Sequence, residues 1–287
     1  MSDSDTSHRF LFEDADIRGE SVTLAAAFQA LTSAHPYSDT IKTLLGEFAT
    51  AAVLISNNLK YRGKIIIQAR TPGDLQLVMV ECTSDLTIRG IARGNLDAMA
   101  DDCIELLAGG QLALTIERDG GQRYQGIVAI EHPSLAACLD HYFLQSEQLH
   151  TRFWLAASAE AAAGLMLQQL PAQRLQHATE RQAQWDTACI LAATITPAEL
   201  LKLPATTVLH RLFHELPHQV FAATAVAYQC SCSRERSLNA LNLLPVSEQA
   251  ELISKQGHIE MNCEMCATTY TFSQADLPAL AEARSVH

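Results

Sequence analysis

The sequence has no block of basic residues, no apolar run approaching the roughly 18 residues of a membrane span, and no glycine-rich phosphate loop of the Walker type. With a formal net charge of −12, the first absence argues against nucleic acid as a main partner, because such a surface repels a phosphate backbone. The second leaves no helix to cross a membrane. The opening stretch MSDSDTSHRFLFEDAD also lacks the basic n-region and apolar h-region of a secretory leader, so a cytoplasmic protein with no membrane contact is expected. The third absence removes the usual cradle for ATP. No Ser/His/Asp constellation takes its place, so no enzyme is predicted, and neither internal repeats nor low-complexity tracts interrupt the chain.

What is present suits a globular protein. The chain has 287 residues, 48% of them apolar and 18% charged, enough for one sizeable core with an appendage. In a reducing compartment its eight cysteines point to metal binding or thiol chemistry rather than structural disulfides. They fall into two populations. Cys82, Cys103, Cys138 and Cys189 stand singly among apolar neighbours and read as ordinary buried thiols, whereas Cys230, Cys232, Cys263 and Cys266 crowd into the last 60 residues.

Periodicity predicts an α+β architecture. SVTLAAAFQALTSA and TIKTLLGEFATAAVLISNNL carry apolar residues at helical spacing, while KIIIQAR and DLQLVMVEC read as strands joined through the turn TPGD. QLALTIERDGGQRYQGIVAIE has the alternation and the Asp119-Gly120-Gly121 turn of a β-hairpin. SLAACLDHYFLQSEQL predicts a helix capped by Ser134, and TRFWLAAS with AGLMLQQLP a further strand pair. The reading is an antiparallel-sheet domain with packed helices over 1–171, a helical linker over 172–227 in which the strands stop, and a small zinc-binding domain over 228–287. Within the linker, Thr196, Pro197 and Glu199 form a capping-box start, and Val208, Leu209, Leu212 and Phe213 make one apolar stripe. Helices this short are marginal alone and must borrow stability from their neighbours. The last segment predicts two helices, SRERSLNALNLL and SEQAELISK ahead of Gly257, then strands at HIEMN and TTYTF.

The late cysteines form C-x-C, 30 intervening residues and C-x-x-C. Two close thiolate pairs can enclose one tetrahedral zinc at Zn–S of about 2.3 Å, leaving no open position for water. One reading is a structural clip, since a region this small has little core and zinc can contribute ~10–16 kcal/mol. Another is an oxidant-sensitive latch, because each ligand has a neighbour close enough to become a disulfide partner. A metal-free redox pair is a third. Arg234 and Arg236 either hold thiolates deprotonated or belong to a solvated first helical turn capped by Ser233. His258 is a spare ligand candidate beside four thiolates that already satisfy zinc, and His210 with His214, four residues apart, reads as helix packing.

CSCSRER followed by CEMCATTYTF resembles the redox-regulated holdase chaperones of the heat-shock protein 33 family, whose signature is C-x-C-S-R-E-R, then C-x-x-C with an aromatic tail. The matching positions are Cys230, Cys232, Ser233 to Arg236, Cys263, Cys266, Tyr270 and Phe272. HRFLFEDADIRGE, RYQG, LAACLDHYFLQSEQL and GLMLQQLPAQ extend the resemblance over nearly the whole chain, with Ala163 in place of the first of two glycines. The resemblance implies a protein that is inactive when reduced, with one zinc per chain on Cys230, Cys232, Cys263 and Cys266. Oxidation would join Cys230 to Cys232 and Cys263 to Cys266 and release the zinc. The linker would then unfold, and a homodimer would hold unfolding client proteins without ATP. Two alternatives stand beside it. A zinc-ribbon nucleic-acid binder conflicts with the charge of 228–287, four Arg/Lys against seven Asp/Glu. A thiol-disulfide oxidoreductase would need a βαβ context around CEMC that the sequence does not offer.

Overall fold

His8, Phe10 and Phe12 alternate along β1 (Thr6–Phe12), which pairs antiparallel with β2 (Ile17–Leu24). The computed structural model describes residues 4–58, 61–121, 123–174 and 177–277. The helix expected from Ser21 is corrected here. Ser21 to Leu24 complete β2, where Val22 and Leu24 oppose Gly164 and Ala162, and α1 (Ala26–Thr32) begins only afterwards. Branched side chains suit a pleated surface with a neighbour on each side.

α2 (Asp39–Asn58) follows, buried at every position from Phe48 to Ser56. A helix that is apolar all round belongs inside a core, and this one packs on strands of two sheets. At Gly46 an added Cβ would sit 2.8 Å from the Ala157 Cβ, so only glycine allows that close approach. The next strands are β3 (Gly63–Arg70), β4 (Leu75–Thr83) and β5 (Thr87–Gly94), then a 3-10 turn at Cys103–Leu107. The predicted hairpin forms as β6 (Gln111–Arg118) and β7 (Arg123–Ala129). Gly126 of the RYQG stretch makes room for Tyr142, whose ring an added Cβ would meet at 2.5 Å.

Ser134 caps α3 (Leu135–Tyr142) by accepting the Ala137 N–H at 3.1 Å, and a π turn, Phe143–Glu147, ends it. β8 (Thr151–Ala157) and β9 (Ala162–Gln169) pair as expected. Then come α4 (Ala178–Ala192), α5 (Pro197–Lys202) and α6 (Ala205–Phe213); Leu175 and Gln176, the expected start of the first, lie outside the described residues. Strands do not stop there. β10 (His218–Val220) and β11 (Thr224–Ala225) add to β1, and β12 (Ala227–Tyr228) pairs parallel with β5. Two or three residues carry no readable period, which is why they escape a sequence reading.

The first sheet runs β10-β1-β2-β9-β8, with β11 also on β1; the second runs β12-β5-β4-β3-β6-β7. Alternation along β9 builds two cores. Ala162 and Met166 join the α2 core, while Ala163, Leu165 and Leu167 face a second core made with Trp185, Leu200, Val208, Leu209, Leu212 and Phe213 of α4 to α6. Phe12 and Phe213 meet edge to face at 5.1 Å there. The short helices thus find the apolar neighbours that their length requires.

The chain divides into two compact units, Met1–Gln229 and Cys230–His287. In the second, α7 (Arg234–Leu241) and α8 (Val246–Gln256) precede an antiparallel pair, β13 (His258–Asn262) and β14 (Thr269–Ser273). Gly257, at φ 78°, closes α8 in the left-handed conformation. Leu241, Ile259, Phe272 and Leu277 are its buried apolar cluster among the described residues.

Candidate metal centre

Local structure brings the two cysteine pairs to one point. Cys230 and Cys232 flank Ser231 just ahead of α7, whose start is fixed by the Ser233 hydroxyl accepting the Arg236 N–H at 3.1 Å. Cys263 and Cys266 sit in the turn between β13 and β14. The Ala267 N–H reaches the Cys263 carbonyl at 2.8 Å, and the Cys263 N–H reaches the Thr268 carbonyl at 2.9 Å. Ala267 closes this turn at φ 55°, a conformation costing a non-glycine residue about 1–2 kcal/mol.

The four Sγ atoms all lie within 4.8 Å of one another. Cys230 approaches Cys263 at 3.7 Å, and Cys232 approaches Cys266 at 3.4 Å. Metal–sulfur bonds of about 2.3 Å in a tetrahedron set neighbouring sulfurs about 3.8 Å apart, so the cage has the size of such a site. The donor set fits as well. Four half-buried sulfurs with no imidazole or carboxylate in the group suit a soft or borderline cation. These cysteines can therefore hold a metal ion.

Burial pushes the Cys230, Cys232 and Cys263 thiols up. At Cys266 burial, the largest single influence, pushes the same way, but hydrogen bonding with Thr268, through its side chain and backbone, and with Cys232 and Cys263 together outweighs it and holds the thiol down at about 6. Tyr270 places its hydroxyl 3.2 Å from Cys232 Sγ. That contact, and burial after it, drives the phenol up to about 12, so it remains a neutral donor to the sulfur. Sequence reasoning noted Tyr270 only as part of an aromatic tail and did not single out Thr268. The signal available was strand alternation, since Tyr270 lies opposite Met261, one step beyond the closing pair Asn262 and Thr269.

Arg234 is not aimed at the thiols. It pairs with Asp276 at 3.0 Å, donates to the Thr271 carbonyl and lies 4.4 Å over the Phe272 ring; Arg236 donates to the Ser231 carbonyl at 2.7 Å. Both serve the α7 turn and its packing. His258 lies 3.2 Å from Glu260 and outside the sulfur group. His210 and His214 are both exposed, with rings 5.9 Å apart, so helix packing does not explain them. Of the remaining cysteines, Cys82, Cys103 and Cys138 are buried and Cys189 partly so. Burial raises all four thiols, Cys82 and Cys189 to about 12, which leaves them protonated and inert near neutrality. No helix among the described residues is long and apolar enough to cross a membrane.

A family model for Hsp33 protein matches residues 5–273. A 33 kDa chaperonin of Pseudomonas aeruginosa is 46% identical over 283 residues, covering 98% of this chain and 95% of that protein. The 33 kDa chaperonin of Pseudomonas fluorescens is 44% identical, with 98% and 94% covered. Among solved structures, the 33 kDa chaperonin (heat shock protein 33 homologue) of Thermotoga maritima superposes with a TM-score of 0.83 over 99% of this chain and 100% of that one, at 22% identity, which speaks to the fold.

Proposed function

This chain belongs to the Hsp33 family of chaperones, and from that premise we propose that it is an ATP-independent holdase switched on by oxidation. The observation that carries the reading is the group of four sulfurs within 4.8 Å of one another in the unit with the smallest core. In the reduced state Cys230, Cys232, Cys263 and Cys266 hold one Zn²⁺. A closed four-sulfur zinc site supplies folding free energy and no Lewis-acid chemistry.

Two peroxide molecules, one for each cysteine pair, each take two electrons and are reduced to water, while the disulfides Cys230–Cys232 and Cys263–Cys266 form and the ion is released. The 228–287 domain loses its organising centre. Residues 172–227 act as a releasable linker, and its departure uncovers the apolar face of the first sheet, formed by Phe10, Phe12, Leu165 and Leu167. That face, shared in a homodimer, holds unfolding client proteins in the cytoplasm.

The test follows zinc release and suppression of a thermally aggregating client in one sample, before and after peroxide at elevated temperature. One zinc released with the onset of suppression, both reversed by reductant and fresh zinc, is expected. Release without suppression leaves a structural zinc module, and suppression with zinc still bound puts the switch elsewhere.

A further inference from the structure

Apart from the sulfur cluster, the first unit contains a pocket whose charge runs against that of this acidic chain. A cavity of about 390 Å³ opens between β1, β2, the C-terminal end of α2 and the segment after β10, with Arg9, Arg18, Leu11, Leu170 and Phe221 in its wall. That volume lies in the range of small-ligand sites, about 300–1,000 Å³. The Arg9 side chain is exposed and has no hydrogen bond or ion pair among the described residues. Arg18 gives Nε and Nη2 to Gln168 Oε1 at 3.0 and 2.5 Å and Nη1 to the Asn58 carbonyl at 3.1 Å, all neutral acceptors. A guanidinium carries five N–H groups, so part of the Arg18 fork is uncommitted and all of the Arg9 fork is.

The acid nearest to them is Glu20, opposite Arg9 across the β1–β2 ladder. It is buried, and its oxygens are taken by the Ser7 hydroxyl and by the side-chain amides of Asn57 and Asn58. Two guanidiniums beside one carboxylate keep a positive sum whether that carboxylate is ionised or not. The remaining wall is apolar: Leu11 and Leu170 line it, and the Phe221 ring is 40% exposed at its mouth.

We propose that this pocket binds a small amphiphile, an oxyanion on a short apolar stem, with the carboxylate or phosphate head in the Arg9 and Arg18 forks and the stem along Leu11, Leu170 and Phe221. Planar forks favour such heads by paired hydrogen bonds, and the aromatic wall removes the stem from water. The inference is independent of the holdase reading, because the site is complete in the reduced chain.

Titration calorimetry of the reduced, zinc-loaded full chain tests it, with octanoate and octyl phosphate as probes below their micelle concentrations and 1-octanol and inorganic phosphate as half-ligands. At least one octyl anion binds roughly tenfold or more tightly than either half-ligand, and weakens as salt rises. The head that binds better identifies the natural one. Arg9→Gln, at an exposed position that leaves the fold intact, weakens binding about tenfold. Amide shifts on binding centre on Arg9, Gly19 and Phe221. The proposal is overturned if octanol binds as tightly as the anions, if inorganic phosphate does, or if Arg9→Gln leaves the affinity unchanged.

Discussion

The two units hold together by different means. In Met1–Gln229 a central helix is sealed by two sheets, and a second core joins the far face of one sheet to α4, α5 and α6. In Cys230–His287 four apolar side chains are buried among the described residues, and four thiols tie the start of α7 to the β13–β14 turn. A region of this size rarely buries enough apolar surface to outweigh its conformational entropy. The difference teaches where a switch can be built. Chemistry at the thiols can unfold the unit that depends on them and leave standing the α2 core of the one that does not.

The largest expected effect tests that contrast directly. Chelation of the reduced protein, or Cys232→Ala, should remove the metal contribution of about 10–16 kcal/mol from the second unit. Amides of β13 and β14 then exchange as in an unfolded chain, while those of β3 and β4 keep their protection. Protected β13 and β14 in metal-free protein would show that Leu241, Ile259, Phe272 and Leu277 suffice by themselves.

The converse change sharpens the comparison from the other side. Phe48 is fully buried in α2, so Phe48→Ala should cost the first unit about 3–5 kcal/mol. A denaturant melt of Met1–Gln229 reads the loss, and metal content of the second unit stays at the wild-type value. A fall in metal content would mean that the units are one cooperative block.

A third difference is electrostatic. Glu20 is raised to about 8, first by burial and against hydrogen bonds from Ser7 and Asn57. An acid held above its unfolded value binds more protons when folded, so stability falls as pH rises from the ordinary carboxylate range, near 4.5, to about 8. The decline, on the order of a few kcal/mol, should appear in the melt of the first unit between pH 5 and 8. Glu20→Gln should reduce it, leaving the share of Glu47, which burial raises to about 7, and an equal slope in that variant assigns the pH dependence to other groups.

How much was legible follows from where the determining contacts lie in sequence. Helices with local caps could be read directly, as at Ser134, Thr196 and Ser233, and so could the β6–β7 turn. The start of α1 could not, because the N–H groups of Ala25, Ala26 and Ala27 are satisfied by the Asp5 carboxylate, some twenty residues earlier. The last residues of β2, Ser21 to Leu24, read as helix because their apolar spacing runs on into that of α1, although they pair with both β1 and β9. The cysteine spacing was enough to predict the sulfur group, since four ligands in two close pairs have few ways to meet. Their surroundings were not. Tyr270 reaches Cys232 through hairpin register, and Arg234 turns to Asp276 and Phe272 through tertiary packing that no local pattern encodes.

The smallest change probes the boundary inside the first unit. Thr196 caps α5, its hydroxyl accepting the Glu199 N–H at 3.2 Å while the Glu199 carboxylate accepts the Thr196 N–H at 3.0 Å. The same carboxylate meets Arg211 of α6 at 2.7 Å, so the box also ties two short helices together. Thr196→Ala should cost about 1 kcal/mol, a fall of about 2–4 °C in a melting transition of this size. If residues 172–227 leave the sheet as a linker, that loss belongs to α4, α5 and α6 alone. Their amides then exchange faster while α2 is unchanged, and holdase activity in peroxide begins at a correspondingly lower temperature. Equal acceleration in α2 and α4 would mean that the helices and the sheet open in one step; the contrast that governs activation would then lie solely between Met1–Gln229 and the thiol-bound unit.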